Sequence, residues 1–276
     1  MSTKTASHTT TEPSTRTRAI ARQVIILVSS ILAIVAAFIG SGVFFGTPIQ
    51  EAAGGFLNSD STLIAPGTGA FRIWSVIYTG MLAYAIWQAL PAQRFDERQQ
   101  RIGWWVAASL ILNAVWIGVV QLNLLFLSLP VIALLLVILC RIFVILRQTR
   151  PKNKVEVVVA DGAIGLYLGW VIIATAANAT AIFYAVGFLG FGIAPEVWSS
   201  VVLAVAATVG IALAFWGGGR IAPALSLTWG IAWVAVARFT DEPYSPPTGV
   251  AAIIAVVLIV VATAAARVRH DRAVRR

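Results

Sequence analysis

One cysteine and two histidines are all that this 276-residue chain offers of the soft metal ligands. Cys140 sits in the apolar run Val137-Ile138-Leu139-Cys140, so neither an intrachain disulfide nor a cysteine-built metal site can form. His8 and His270 lie in the two tails, which excludes histidine ligation of haem or zinc inside any apolar run. The three lysines, Lys4, Lys152 and Lys154, are equally peripheral, so none is placed to hold retinal as a Schiff base. Only 11% of residues are charged, against roughly 25% in soluble domains. No Asp, Glu, His or Lys falls in the middle of an apolar run, and aspartate-rich motifs that would hold magnesium and a diphosphate are absent. Ion-coupled pumps and transporters usually need such groups within the membrane. Acid–base and metal catalysis therefore have almost no candidates. No catalytic residue, no metal ligand and no resident cofactor is predicted.

What the chain has in quantity is apolar length. Hydrophobic residues make up 59% of it and its mean hydropathy is +0.88. A bilayer core takes about 20 consecutive, mostly apolar residues per helix. Eight runs qualify, near 24–46, 70–90, 103–121, 124–146, 163–187, 196–216, 221–239 and 248–267. The fold class expected is an all-α integral membrane protein of about eight transmembrane helices. The first run is longer than a signal-peptide core and lacks a small-residue cleavage site, so it reads as a retained helix behind a disordered tail, residues 1–21. The net charge of +9 does not point to nucleic acid, because the basic residues lie in tails and short loops. Lys and Arg accumulate on the cytoplasmic side of membrane proteins. With the N-terminus inside, the outer side keeps only Arg72 and Arg238, and both termini are expected in the cytoplasm. The longest loop, about 47–69, lies outside and carries Gly54-Gly55, Asn58, Asp60 and Pro66-Gly67. It reads equally as a cover for a site or as a connector.

Ten tryptophans are the remaining signal. At helical spacing, Trp74, Tyr78, Met81, Ala85 and Gln88 form one stripe, and Trp105, Ser109, Asn113 and Trp116 another. Tyr167, Trp170, Ala174 and Asn178 form a third. Trp87, Trp104, Trp105 and Trp198 suit the interfacial belt. Asn113 and Asn178 lie at hydrocarbon depth, where an unpaired amide is costly, so each needs a neighbouring helix or a ligand. Together the stripes describe an uncharged, aromatic-walled pocket suited to a flat, conjugated, hydrophobic molecule.

Three motifs then resemble the tryptophan-rich sensory protein family, also called the TspO/MBR or translocator protein family. They are Ala65-Pro66-Gly67 followed by Phe71-x-x-Trp74-x-x-x-Tyr78, then Leu112-Asn113-x-x-Trp116, then Trp170-x-x-x-Ala174-Thr175-x-x-Asn178. The resemblance covers roughly 24–190 and implies a five-helix bundle around a pocket for porphyrins, with sterols or drug-like molecules in some members. It implies Trp74, Tyr78, Asn113, Trp116, Trp170, Ala174 and Asn178 as ligand-binding residues. Tyr184 lacks the closely following Lys or Arg of a sterol pattern, so sterol is not expected. On this reading residues 22–190 form the core, 191–268 a three-helix extension and 269–276 a basic cytoplasmic tail.

The expected function is a membrane binding or sensory protein holding a porphyrin-like ligand, with light-dependent porphyrin degradation as the only chemistry. The competing expectations are a transporter without ion coupling and a helper subunit that docks through Trp216, Trp229 and Trp233. Expected partners are the lipid bilayer, a hydrophobic small molecule such as a porphyrin and, as an option, a second copy in a homodimer; nucleic acid is not among them. The expected location is a bacterial plasma membrane. The extension is expected to be accessory, so that a chain ending near Gly190 still inserts and binds.

Overall fold

A computed structural model describes residues 13–42 and 46–274. Among the described residues there is no strand, and eight long helices dominate. They are α1 Pro13–Gly40, α2 Ile73–Ala89, α3 Glu97–Gln121 and α4 Leu125–Gln148, followed by α5 Lys154–Ala185, α6 Pro195–Trp216, α7 Ile221–Thr240 and α8 Pro246–Val274. Seven are long and apolar enough to cross a membrane. The eighth, α2, has 17 residues, at the short end of the spanning range. A 3-10 turn, Thr68–Arg72, leads directly into it. The chain is a multi-pass integral membrane protein made of helices, as its apolar runs predict.

Helix ends differ from the hydrophobic runs where polar side chains cap or extend them. α1 begins at Pro13 and α8 reaches Val274, so both basic tails are partly helical. Residues 1–12 and 275–276 of those tails lie outside the described residues. α5 begins at Lys154, not near 163, because the Asn153 side chain caps it by accepting the Glu156 N–H (2.9 Å). That start draws Glu156 and Asp161 into a helix.

Packing divides the eight helices unequally. α1 lies against α2 and α3, α3 against α4, α4 against α5, and α5 against α2, which closes a ring of five. Outside it α7 packs on α5, α8 on α7, and α6 on α8. Lipid gives helices no hydrophobic reason to associate, so close van der Waals approach matters. Gly169 of α5 supplies it: a Cβ there would overlap the Pro223 carbonyl and Ser226 Oγ of α7.

Hydrogen bonds define two ends of the bundle. At the basic end Arg22 donates to the carbonyls of Gln93 and Arg94 (both 3.1 Å), and Arg220 donates to the Leu146 carbonyl (2.7 Å). At the loop end Asn123 Oδ1 accepts the Ala53 N–H (3.0 Å), and Gln121 and Thr47 exchange two hydrogen bonds.

The basic end contains a buried ionic network. Arg98, 4% exposed, donates to Glu156 (2.9 Å) and Asp161 (2.8 Å), and Asp161 also pairs with Arg220. Gln99 donates to Glu156 (3.0 Å) and accepts from the Tyr84 hydroxyl (2.9 Å). Glu156 and Asp161 are five residues apart, and an α-helix would turn them about 140° from one another. The segment Val157–Gly162 is instead a π-helical turn, in which i→i+5 bonding returns residues five apart to one face. The irregular turn is what lets both carboxylates meet one guanidinium. Beside the network Asp96 pairs with Lys152. Burial alone would raise the Asp96 carboxyl, but the Lys152 ammonium and the Gln99 N–H hold it below its ordinary value.

Candidate ligand-binding site

α1 and α2 are pinned together at the basic end. There Gln23 Nε2 donates to the Gln88 carbonyl (2.7 Å) and Gln88 Nε2 to the Gln23 carbonyl (3.0 Å). Toward the loop end a cavity of about 660 Å³ lies between them, within the range of small-molecule sites. Ile34, Ala37 and Phe38 of α1 form one wall and Phe71, Trp74 and Tyr78 the other, with Trp116 of α3 behind and Pro48, Ile49 and Gln50 at the loop side. No Asp, Glu, Lys, Arg or His is among the described residues lining it. Phe38, Ser75 and Thr79 belong to the lining and are themselves exposed. The mouth among the described residues therefore faces sideways, between two membrane helices.

The aromatic wall is ordered by helical spacing. Trp74 and Tyr78, four residues apart on α2, stack at 5.0 Å and 18°. Trp74 also meets Tyr167 and Trp170 of α5 edge to face, each at 6.0 Å. Phe71 meets Trp170 in the same manner at 5.9 Å. Such pairs contribute about 0.5–1.5 kcal/mol beyond burial. The Tyr78 hydroxyl donates to Asn113 Oδ1 (2.8 Å), tying α2 to α3 under the cavity. Deeper still, the Tyr167 hydroxyl donates to the Ser109 carbonyl (3.1 Å). Behind Trp74 lies a second void of about 30 Å³, bordered by Asn113, Trp116, Trp170 and Ala174. The indole N–H groups of Trp116 and Trp170 are buried without a hydrogen-bond partner.

The sequence-derived residues thus fall into three groups. Trp74, Tyr78 and Trp116 line the larger cavity. Asn113, Trp170 and Ala174 border the small void, which Trp74 and Trp116 share. Asn178 borders neither: its Nδ2 donates to Ser128 Oγ (2.9 Å), joining α5 to α4. Residues of α1 and of the loop segment were not singled out by sequence. Ile34, Ala37, Phe38 and Ser41 follow helical spacing, but an apolar face toward lipid and one toward a cavity have the same composition. The three tryptophans read as a docking face each make an internal contact. Trp216 lies under the Arg147 guanidinium at 4.4 Å, Trp229 Nε1 donates to the Ala70 carbonyl (3.0 Å), and Trp233 packs on Gly69.

Comparison with curated proteins and with solved structures gives no match. A family model described as TSPO-like protein matches residues 23–265. The match touches every one of the eight helices and so extends past the residues 24–190 that carry the three motifs. Since it covers most of the sequence, and the fold is a helical membrane bundle, the chain belongs to the TSPO-like protein family.

Proposed function

We propose that this protein holds a flat, hydrophobic, porphyrin-like ligand between α1 and α2, as a binding or sensory protein of the membrane. The observation that carries the reading is the uncharged aromatic wall: Trp74 stacked on Tyr78, with Phe71 and Trp116 on the same cavity. A conjugated ring system gains most from such faces, and carboxylates at its edge, which find no counter-charge among the lining residues, belong at the mouth. Nothing in the lining supports proton transfer, so any chemistry belongs to the excited ligand and the indoles around it.

Titration of the purified protein with protoporphyrin tests this. The expected result is saturable quenching of tryptophan fluorescence and a shifted porphyrin absorption band. Quenching that never saturates, or that equals the effect of protein-free micelles, would reject the reading.

The same proposal places the basic end in the cytoplasm of a bacterial cell, because Lys and Arg concentrate there. Reporter fusions at residues 60, 97, 152 and 276 should then report outside, inside, inside and inside. An outside signal at the C-terminus would contradict this arrangement.

A further inference from the structure

The segment between α1 and α2 is gripped from the side by a helix of the C-terminal half. Arg238 of α7 is fully buried. It donates to the Ser59 carbonyl (2.8 Å) and to the Thr62 carbonyl (3.2 Å). Its hydrogen-bond partners are these backbone oxygens, and no ion pair to it occurs among the described residues. Nearer the middle of α7, the Trp233 carbonyl accepts the Gly67 N–H (3.1 Å). The Trp233 ring packs so closely on Gly69 that a Cβ there would overlap it. One turn further in, Trp229 Nε1 donates to the Ala70 carbonyl (3.0 Å). Three successive stretches of one helix thus hold residues 59–70 by their backbone.

A buried guanidinium is costly in a protein interior, and more so at membrane depth, unless its donors are used. Here the two terminal nitrogens are spent on loop carbonyls, and Nε is buried without a hydrogen-bond partner among the described residues. The held segment runs straight into Phe71 and Trp74, which wall the cavity. We propose that α7 is a latch that sets the position of residues 59–70, with Arg238 as its positioning residue, and through them the placement of Phe71 and Trp74. The link to ligand affinity rests on the porphyrin reading; the latch itself does not.

The test uses the full chain in lipid nanodiscs with Cys140→Ser as background. Ala65, 5% exposed within the held segment, is replaced by cysteine as a reporter. Its reaction with a thiol reagent then measures local opening. Arg238→Gln should speed that reaction by about tenfold or more, since charge-assisted hydrogen bonds to the segment are lost. Gly69→Ala attacks the neighbouring Trp233 contact of the latch from the loop side and leaves the guanidinium in place, and it should speed the reaction too. It serves where Arg238→Gln does not fold. Equal rates with and without these substitutions overturn the latch.

Protoporphyrin titration of the same variants reads the coupling, with binding weakened by about tenfold, equivalent to roughly 1.4 kcal/mol. Faster thiol reaction with unchanged porphyrin affinity overturns the tie between latch and cavity wall. If the protein with intact Arg238 binds no porphyrin, the ligand reading fails while the thiol rates still judge the latch.

Discussion

Replacing Trp74 with alanine is expected to weaken porphyrin binding by tenfold or more while leaving the protein folded. Trp74, like Phe71 and Trp116, borders both the 660 Å³ cavity and the small void behind it, and it alone of the three is stacked on Tyr78. Stacking of a base on an aromatic side chain is worth about 1–3 kcal/mol, and a larger porphyrin face should fall in or above that range. The substitution also leaves Tyr78 without the ring stacked on it at 5.0 Å. Trp170→Ala should weaken binding less directly. Trp170 is 2% exposed and stands behind Trp74, so its loss acts by loosening the wall. Trp216→Ala removes an indole at the basic end and should leave affinity unchanged. Fluorescence titration of the three variants in one detergent separates these outcomes, and equal affinity of Trp74→Ala and the unsubstituted protein would place the ligand elsewhere.

Arg98→Leu should destabilise the protein by about 3–5 kcal/mol, the usual result of stripping one partner from a buried ion pair. Arg98 serves Glu156, 1% exposed, and Asp161, 11% exposed. Asp161 keeps Arg220, so the stranded charge is chiefly Glu156. The double replacement Arg98→Leu with Glu156→Leu removes both charges together, and buried pairs exchanged for apolar residues often cost little. The double variant should therefore be more stable than the single one. Thermal unfolding in a fixed detergent decides the matter. A single variant within about 1 kcal/mol of the unsubstituted protein would mean that water reaches Glu156 and screens it.

The pairs and wedges that organise the molecule differ in how far the sequence discloses them. Eight helices follow from apolar length, because a helix satisfies its own backbone hydrogen bonds in lipid and only closed β-barrels, built from much shorter alternating segments, do so otherwise. Trp74 and Tyr78 are legible as a pair, since four residues along a helix is one turn and both are aromatic. Asn113 and Asn178 look alike in sequence, yet one meets Tyr78 beside the cavity and the other meets Ser128 away from it. The difference lies in which helix each one faces, and that is set by packing. Glu156 and Asp161 read as loop charges ahead of an apolar run. Only the Asn153 cap and the π-helical turn bring them inside. Arg238 reads as one of two basic residues left on the outer side, at the end of a helix expected to be accessory. Its partners are backbone carbonyls 176 and 179 positions away, and a carbonyl leaves no mark in a sequence. With Arg238 on one end of α7 and the Arg220–Asp161 pair on the other, the C-terminal helices are fastened to the five-helix ring at both ends. A chain ending near Gly190 would lose both fastenings.

The mouth between α1 and α2 lies among exposed side chains of two apolar helices, including Phe38 and Thr79. On the proposed reading, a ligand entering there comes from the bilayer, and occupancy follows the mole fraction of ligand in the lipid. Transfer from water to hydrocarbon, about 0.8 kcal/mol for each buried CH₂, is complete before such a molecule meets the protein. It cannot help the site choose among solutes already dissolved in the membrane. That choice falls to ring stacking and to the shape of the cavity, so an affinity that looks tight against aqueous concentration is modest when counted against the surrounding lipid.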